Sequence, residues 1–195
     1  MNVVAGAPGT RDRLLAAARE LIEEGGYGSA PVAAIAARAG VAAGTLYRHF
    51  PSKAELFLEV FRAVCAGEER AMLSAADAVP RDAGAVARVE AVLVTFARRA
   101  LRNRRLAWAL LAEPVDPLVD AERLAYRERY AALVADELRA AIAGREIPAQ
   151  DVVFTAAALV GGCGEALAGP LSSVEESDQV VASIHTFVRR AIGAA

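Results

Sequence analysis

Within VAAGTLYRHFPSKAELF, residues 41–57, a phenol, a guanidinium, an imidazole and an ammonium stand close together as Tyr47, Arg48, His49 and Lys53. All four can hold an oxyanion, and donors of this kind in a cluster suit phosphate. Lys53 is the only lysine of the chain. It sits at the first position of a helix, where the macrodipole disfavours a cation unless something negative lies near. The same helix end offers backbone amides to an anion.

Three short helices are needed to position these groups. Thr10 can cap the first, whose apolar stripe is Leu14, Ala18, Leu21 and Ile22, and Gly25 and Gly26 end it. Pro31 suits the start of a second helix that carries Val32, Ile35, Ala36 and Ala39 inward until Gly40 stops it. In the third, Leu46 and Phe50 are spaced i, i+4 and share a buried face. Ala43, Gly44, Tyr47 and Arg48 are thereby left outside, with His49 on the flank. Two short helices around a tight glycine turn make a helix-turn-helix. Pro51 ends the third helix, and Ser52 with Glu55 forms a capping box that opens a fourth at Lys53. An outer face of small residues with Thr45, Tyr47 and Arg48 fits a DNA major groove, and it equally fits a solvated helix face.

The stretch GVAAGTLYRHFPSKAELF, with GGYGSAPVAAIAARAG upstream, resembles the DNA-binding domain of the TetR family of transcriptional regulators over about residues 10–60. The resemblance implies that the third helix enters the major groove and that Tyr47, His49 and Lys53 contact phosphates. Thr45 and Arg48 would then lie near bases or backbone, beside Ala42, Ala43, Gly44 and Ser52. Three places depart from the family pattern. Ala30 stands where a hydroxyl commonly caps the second helix, Ala33 where a polar residue often meets a phosphate, and Ala42 and Ala43 replace more polar residues. Specificity is therefore expected to draw on thymine methyl contacts and DNA shape.

Beyond residue 60, apolar periodicity predicts helices at roughly 83–103, 105–112, 118–143, 150–168 and 174–192, for about nine in all. The expected fold is all-α: an N-terminal three-helix helix-turn-helix domain followed by a larger helical domain. We assign residues 1–9 to a disordered arm, 10–55 to the DNA-binding domain and 56–195 to ligand binding and dimerisation. Phe96, Trp108, Tyr126, Tyr130 and Phe154 are candidates for a ligand pocket or for plain core, with Glu113, Asp116 and Glu165 as its acidic groups or as helix-end charges. The last two helices, through Val160, Val180, Ile184, Phe187 and Val188, are candidates for a four-helix interface between two protomers or for intrachain core.

Composition narrows the function classes. A net charge of −2 argues against a chain that coats nucleic acid along its length and leaves a local basic surface. The sequence contains no glycine-rich phosphate loop, paired Cys/His ligands or nucleophile elbow, and Cys163 with His185 is the one conceivable dyad. Neither enzyme, cofactor nor metal is expected. Cys65 and Cys163 are too few and too distant for a disulfide framework. The 152–168 run is glycine-rich and broken by Glu165, so a membrane span is not expected and the cytoplasm is the expected location. The resulting expectation is a dimeric repressor, released from a palindromic operator by a small apolar or aromatic ligand. A helical scaffold or regulator without an effector is the alternative, and an enzyme the remote one.

Overall fold

The computed structural model describes residues 9–171 and 177–194, and among these it is helical with no strand. The elements are α1 (Thr10–Gly25), α2 (Val32–Arg38), α3 (Ala43–His49), α4 (Lys53–Asp77), α5 (Gly84–Arg102), α6 (Arg104–Leu111), α7 (Pro117–Ala143), α8 (Val152–Ala168) and α9 (Ser177–Ile192). A 3-10 turn at Arg81–Ala83 leads into α5. The all-α expectation holds, and the helix positions agree with the periodicity to within three residues. Except for Gly9, the expected N-terminal arm lies outside the described residues.

Local chemistry explains most boundaries. Gly26 takes φ +83° and its N–H returns to the Ile22 carbonyl at 2.8 Å, so α1 closes on a residue free to adopt that conformation. Gly9, not Thr10, occupies the N-cap of α1, without a side-chain cap. Pro31 is the N-cap of α2, again without a side-chain cap, and Ala30 is buried beside it. Ser52 caps α4 by accepting from the Glu55 N–H at 3.1 Å. Asp116 and Asp151 do the same for α7 and α8.

α1, α2 and α3 fold around Leu14, Ile22, Ile35, Leu46 and Phe50, each at most 2% exposed. The 25-residue α4, about 37 Å long, leaves this small bundle and becomes a central element of the larger one, packing on α5 and α7. One contiguous apolar core therefore runs through both parts. Six aromatic rings trace it: Tyr27 to Phe57 at 4.9 Å between centroids, Phe57 to Phe61 at 6.5 Å, Phe61 to Tyr126 at 5.7 Å, Tyr126 to Tyr130 at 5.9 Å and Tyr130 to Phe96 at 6.0 Å. No described helix is long and apolar enough to cross a membrane.

α9 lies against α5 and α8. This corrects the reading of its stripe, because Val180, Ile184 and Val188 are 4%, 5% and 0% exposed within the single chain and form intrachain core. Val160 of α8 is likewise turned inward. What α8 and α9 leave uncovered is another face: Val153, Phe154, Ala157, Ala158, Gly161 and Gly162 on α8, and Ala182, Ser183, Thr186, Phe187 and Ala191 on α9. Phe187 is the one residue of the five expected at the interface that is exposed. Its ring lies where a Cβ on Gly162 would meet it at 3.7 Å.

Candidate nucleic-acid interface and ligand cavity

Leu46 is fully buried, and the rotation this imposes turns the opposite side of α3 to solvent. Ala42, Ala43, Gly44, Tyr47, Arg48 and His49 are exposed, Tyr47 by 56%, while Thr45 and Ser52 are half-buried. A Cβ added to Gly44 would meet no atom within 4 Å, so nothing inside the chain requires a glycine there. Arg48 and His49 lie in the last turn, where positive charge also complements the helix dipole.

Lys53 differs from its expectation. The negative partner that its place at a helix start demands is found within the chain: Nζ donates to the Tyr27 carbonyl at 2.7 Å and lies 3.7 Å from the centroid of the Tyr27 ring. Burial pushes its pKa below the ordinary lysine value, while the nearby Glu113 charge acts in the opposite direction. Glu113 in turn accepts from the Tyr27 N–H at 2.8 Å and the Gly28 N–H at 3.1 Å. The sequence gives no sign of this junction beyond the GGYG turn itself. Its partner is a single glutamate far along the chain.

The larger domain contains a narrow cleft between α4, α5, α6, α7 and α8, with a cavity volume of about 80 Å³. Phe61, Cys65, Phe96, Leu106, Leu110, Tyr126, Tyr130 and Val160 supply an apolar lining. Three of the five aromatic residues expected to line a pocket are there. Trp108 and Phe154 are not: they are 40% and 72% exposed, because the inward sides of α6 and α8 are occupied by Leu106, Leu110, Ala156 and Val160. Glu165 is exposed, Asp116 caps α7, and Glu113 serves the α1–α2 turn, so none of the three expected acidic groups lines the cleft.

The polar lining was not anticipated. Glu68 and Arg99 form a two-pronged pair at 2.5 and 2.9 Å, and Asn103, Arg123 and Arg127 also face the cleft. The Tyr130 hydroxyl donates to the Cys65 carbonyl at 3.0 Å and the Tyr126 hydroxyl to the Arg62 carbonyl at 3.2 Å, tying α7 to α4. Burial pushes the Cys65 thiol up to about 12 and the Cys163 thiol up to about 11, so both favour the unreactive protonated form. His185 meets Glu90 at 3.3 Å. Among the described residues no group of three His, Cys, Asp or Glu is placed to hold a metal ion.

Comparison with known proteins matches the N-terminal region by sequence and the whole chain by fold. Residues 14–60 match the profile of bacterial regulatory proteins of the tetR family. The HTH-type transcriptional repressor KstR of Mycolicibacterium smegmatis is 41% identical over 68 residues, covering 33% of this chain and 33% of the relative. The matched stretch thus spans about a third of that protein's length. The fatty acid degradation regulator FadR of Bacillus halodurans superposes with a TM-score of 0.79 at 18% identity, covering 97% of this chain and 99% of its own. FadR of Bacillus subtilis, solved in complex with stearoyl-CoA, superposes with a TM-score of 0.76 at 21% identity, covering 92% and 98%. Over residues 14–60 the sequence thus matches the DNA-binding domain of the TetR family of transcriptional regulators, and the whole fold is similar to that of the two FadR regulators.

Proposed function

We propose that the protein is a dimeric repressor whose α3 reads a palindromic operator and whose cleft takes a small apolar effector that releases it. The observation that carries this reading is the exposed side of α3, where Ala42, Ala43 and Gly44 leave room for close approach and Tyr47, Arg48 and His49 supply donors. In this division of labour residues 10–55 read DNA, and residues 56–195 bind the effector and dimerise. Thr45 and Arg48 face base edges or backbone. Tyr47, His49 and the amide end of α4 around Ser52 and Lys53 face phosphates. Lys53 reaches a phosphate only by sharing its ammonium with the Tyr27 carbonyl.

The dimer forms through the uncovered face of α8 and α9, around Phe154, Gly161, Gly162 and Phe187, in a two-fold arrangement that sets two α3 helices against two half-sites. The stearoyl-CoA held by the Bacillus subtilis FadR suggests the effector's class. An acyl chain suits the aromatic and leucine lining, while an anionic head has to take Arg99 from Glu68 or Arg123 from Asp120. No catalytic step is assigned to the chain.

The test is binding to DNA flanking the protein's own gene, followed by fluorescence anisotropy over a range of salt. Lys53→Met keeps the aliphatic stem over Tyr27 and removes the charge, so it should lower the slope of log affinity against log salt by about one per protomer. Arg48→Ala should change half-site preference instead. Binding with no sequence preference and no response of either variant refutes the reading.

A further inference from the structure

The peptide group between Tyr27 and Gly28 is gripped at both ends. Its N–H, that of Gly28, donates to Glu113, and its carbonyl, that of Tyr27, accepts from Lys53. A carboxylate and an ammonium thus stand at opposite ends of one peptide dipole, an alignment that favours both charges. Glu113 also takes the Tyr27 N–H, and at 8% exposure it is the one buried charged residue among those described. A carboxylate withdrawn from water is costly unless its oxygens are paired, so these two bonds hold Glu113 in one place. Gly26 is part of the same fit, because a Cβ there would lie 2.9 Å from a Glu113 oxygen.

Glu113 has a second attachment, through its backbone. Its carbonyl accepts from Arg123 Nη2 at 2.5 Å, and the same guanidinium holds the Ala109 carbonyl at 2.9 Å and the Leu110 carbonyl at 2.7 Å. Ala109 and Leu110 lie in the last turn of α6, where carbonyls lack helical partners. Arg123 lines the cleft, with a side chain only 10% exposed. Its remaining nitrogen, Nη1, pairs with Asp120 at 2.7 Å, so an anion in the cleft must compete for a guanidinium that also fixes the segment whose glutamate grips the reading domain.

We propose that Arg123 and Glu113 form a clasp through which an anionic group bound in the cleft controls Lys53. The anion takes donors of Arg123, and the carbonyls of residues 109, 110 and 113 lose their tie. Glu113 then leaves the Tyr27–Gly28 peptide, and the α1–α2 turn and Lys53 lose the geometry that aims α3 at DNA. The ligand's preference for the released state sets how far operator affinity falls. The control of DNA affinity rests on the proposed effector role of the cleft; the mechanical connection does not.

Native-state hydrogen exchange tests the connection in the unmodified protein. The Tyr27 and Gly28 amides should open together with those of Ala112 and Glu113, as one unit. Independent opening overturns the clasp. Glu113→Gln should speed exchange of the Tyr27 and Gly28 amides at least tenfold, and Arg123→Lys, which keeps the cation but loses the fork, should speed them severalfold. The Ala85 and Val86 amides, held by Glu146 in a separate brace, report that the variants remain folded. No change at Tyr27 and Gly28 in Glu113→Gln refutes the grip, and none in Arg123→Lys refutes its connection to the cleft. Stearoyl-CoA is the ligand probe. If thermal shift shows no binding, the effector reading for this class fails while the exchange comparison stands. Binding that leaves both amides unaltered overturns the proposed control.

Discussion

Phe154→Ala should separate the dimer from the fold. Phe154 is 72% exposed in the single chain and lies beside Val153, itself 65% exposed, at the start of α8. Taking about 200 Å² for a fully exposed phenylalanine, roughly 140 Å² of ring and stem awaits cover. At about 25 cal/mol per Å², covering it contributes about 3.5 kcal/mol, of which truncation to alanine removes roughly 2. A two-fold interface counts each substitution twice, so the dimer loses about 4 kcal/mol and its dissociation constant rises by about three orders of magnitude. Sedimentation equilibrium over a nanomolar to micromolar dilution series measures this directly. The far-UV circular dichroism of the variant should match that of the parent, because no described core contact depends on the ring. Ile184→Arg is the instructive opposite. At 5% exposure that side chain belongs to the chain's own core, so the charge should unfold the C-terminal helices rather than release folded monomers. A Phe154→Ala dimer that dilutes like the parent refutes the placement of the interface.

Gly44→Ala should raise stability by up to about 1 kcal/mol through helix propensity, since its Cβ meets nothing, yet weaken DNA binding if the groove wall approaches that point. Chemical denaturation and operator titration read the two effects separately. Ser52→Ala should cost about 1 kcal/mol by leaving the Glu55 amide uncapped, lowering the melting temperature by about 2–4 °C. Cys65 and Cys163, raised to about 12 and about 11, make stability pH-dependent on the alkaline side. An unfolded thiol releases its proton near about 8.5, so above that pH the unfolded chain binds fewer protons than the folded one and stability falls as pH rises. Urea midpoints at pH 8 and pH 10 should diverge less in Cys65→Ala than in the parent, and an equal divergence would count against burial of the thiol.

The sequence carried the helices because their signals are local. Leu46 and Phe50 announce the buried side of α3, Ser52 announces the start of α4, and each acts within one turn of the chain. The C-terminal stripe was harder to read because an apolar stripe records only that something covers it. Val180, Ile184 and Val188 are covered by α5 and α8 of the same chain, whereas Phe154, read as a pocket residue, faces outward. Trp108 was misplaced for the same reason: helical spacing does not say which of two apolar sides meets the core. The cleft's arginines and the grip of Glu113 had no local signal at all. Glu113 is 86 residues from Tyr27 and bonds to backbone N–H groups, which every residue except proline carries, so no side-chain pattern could have marked the pair.

A chain with a single lysine has a single side-chain amine, and here that amine rests on the junction between the two parts of the molecule. Acylating agents and amine-reactive dyes, which usually scatter a label over many sites, have one side-chain target in this protein. Their access to it depends on the Tyr27 ring lying 3.7 Å away and on the carbonyl that Nζ already holds. The rate of that one covalent reaction is therefore a clock for the junction: slow while the ammonium stays seated and faster when the turn lets go.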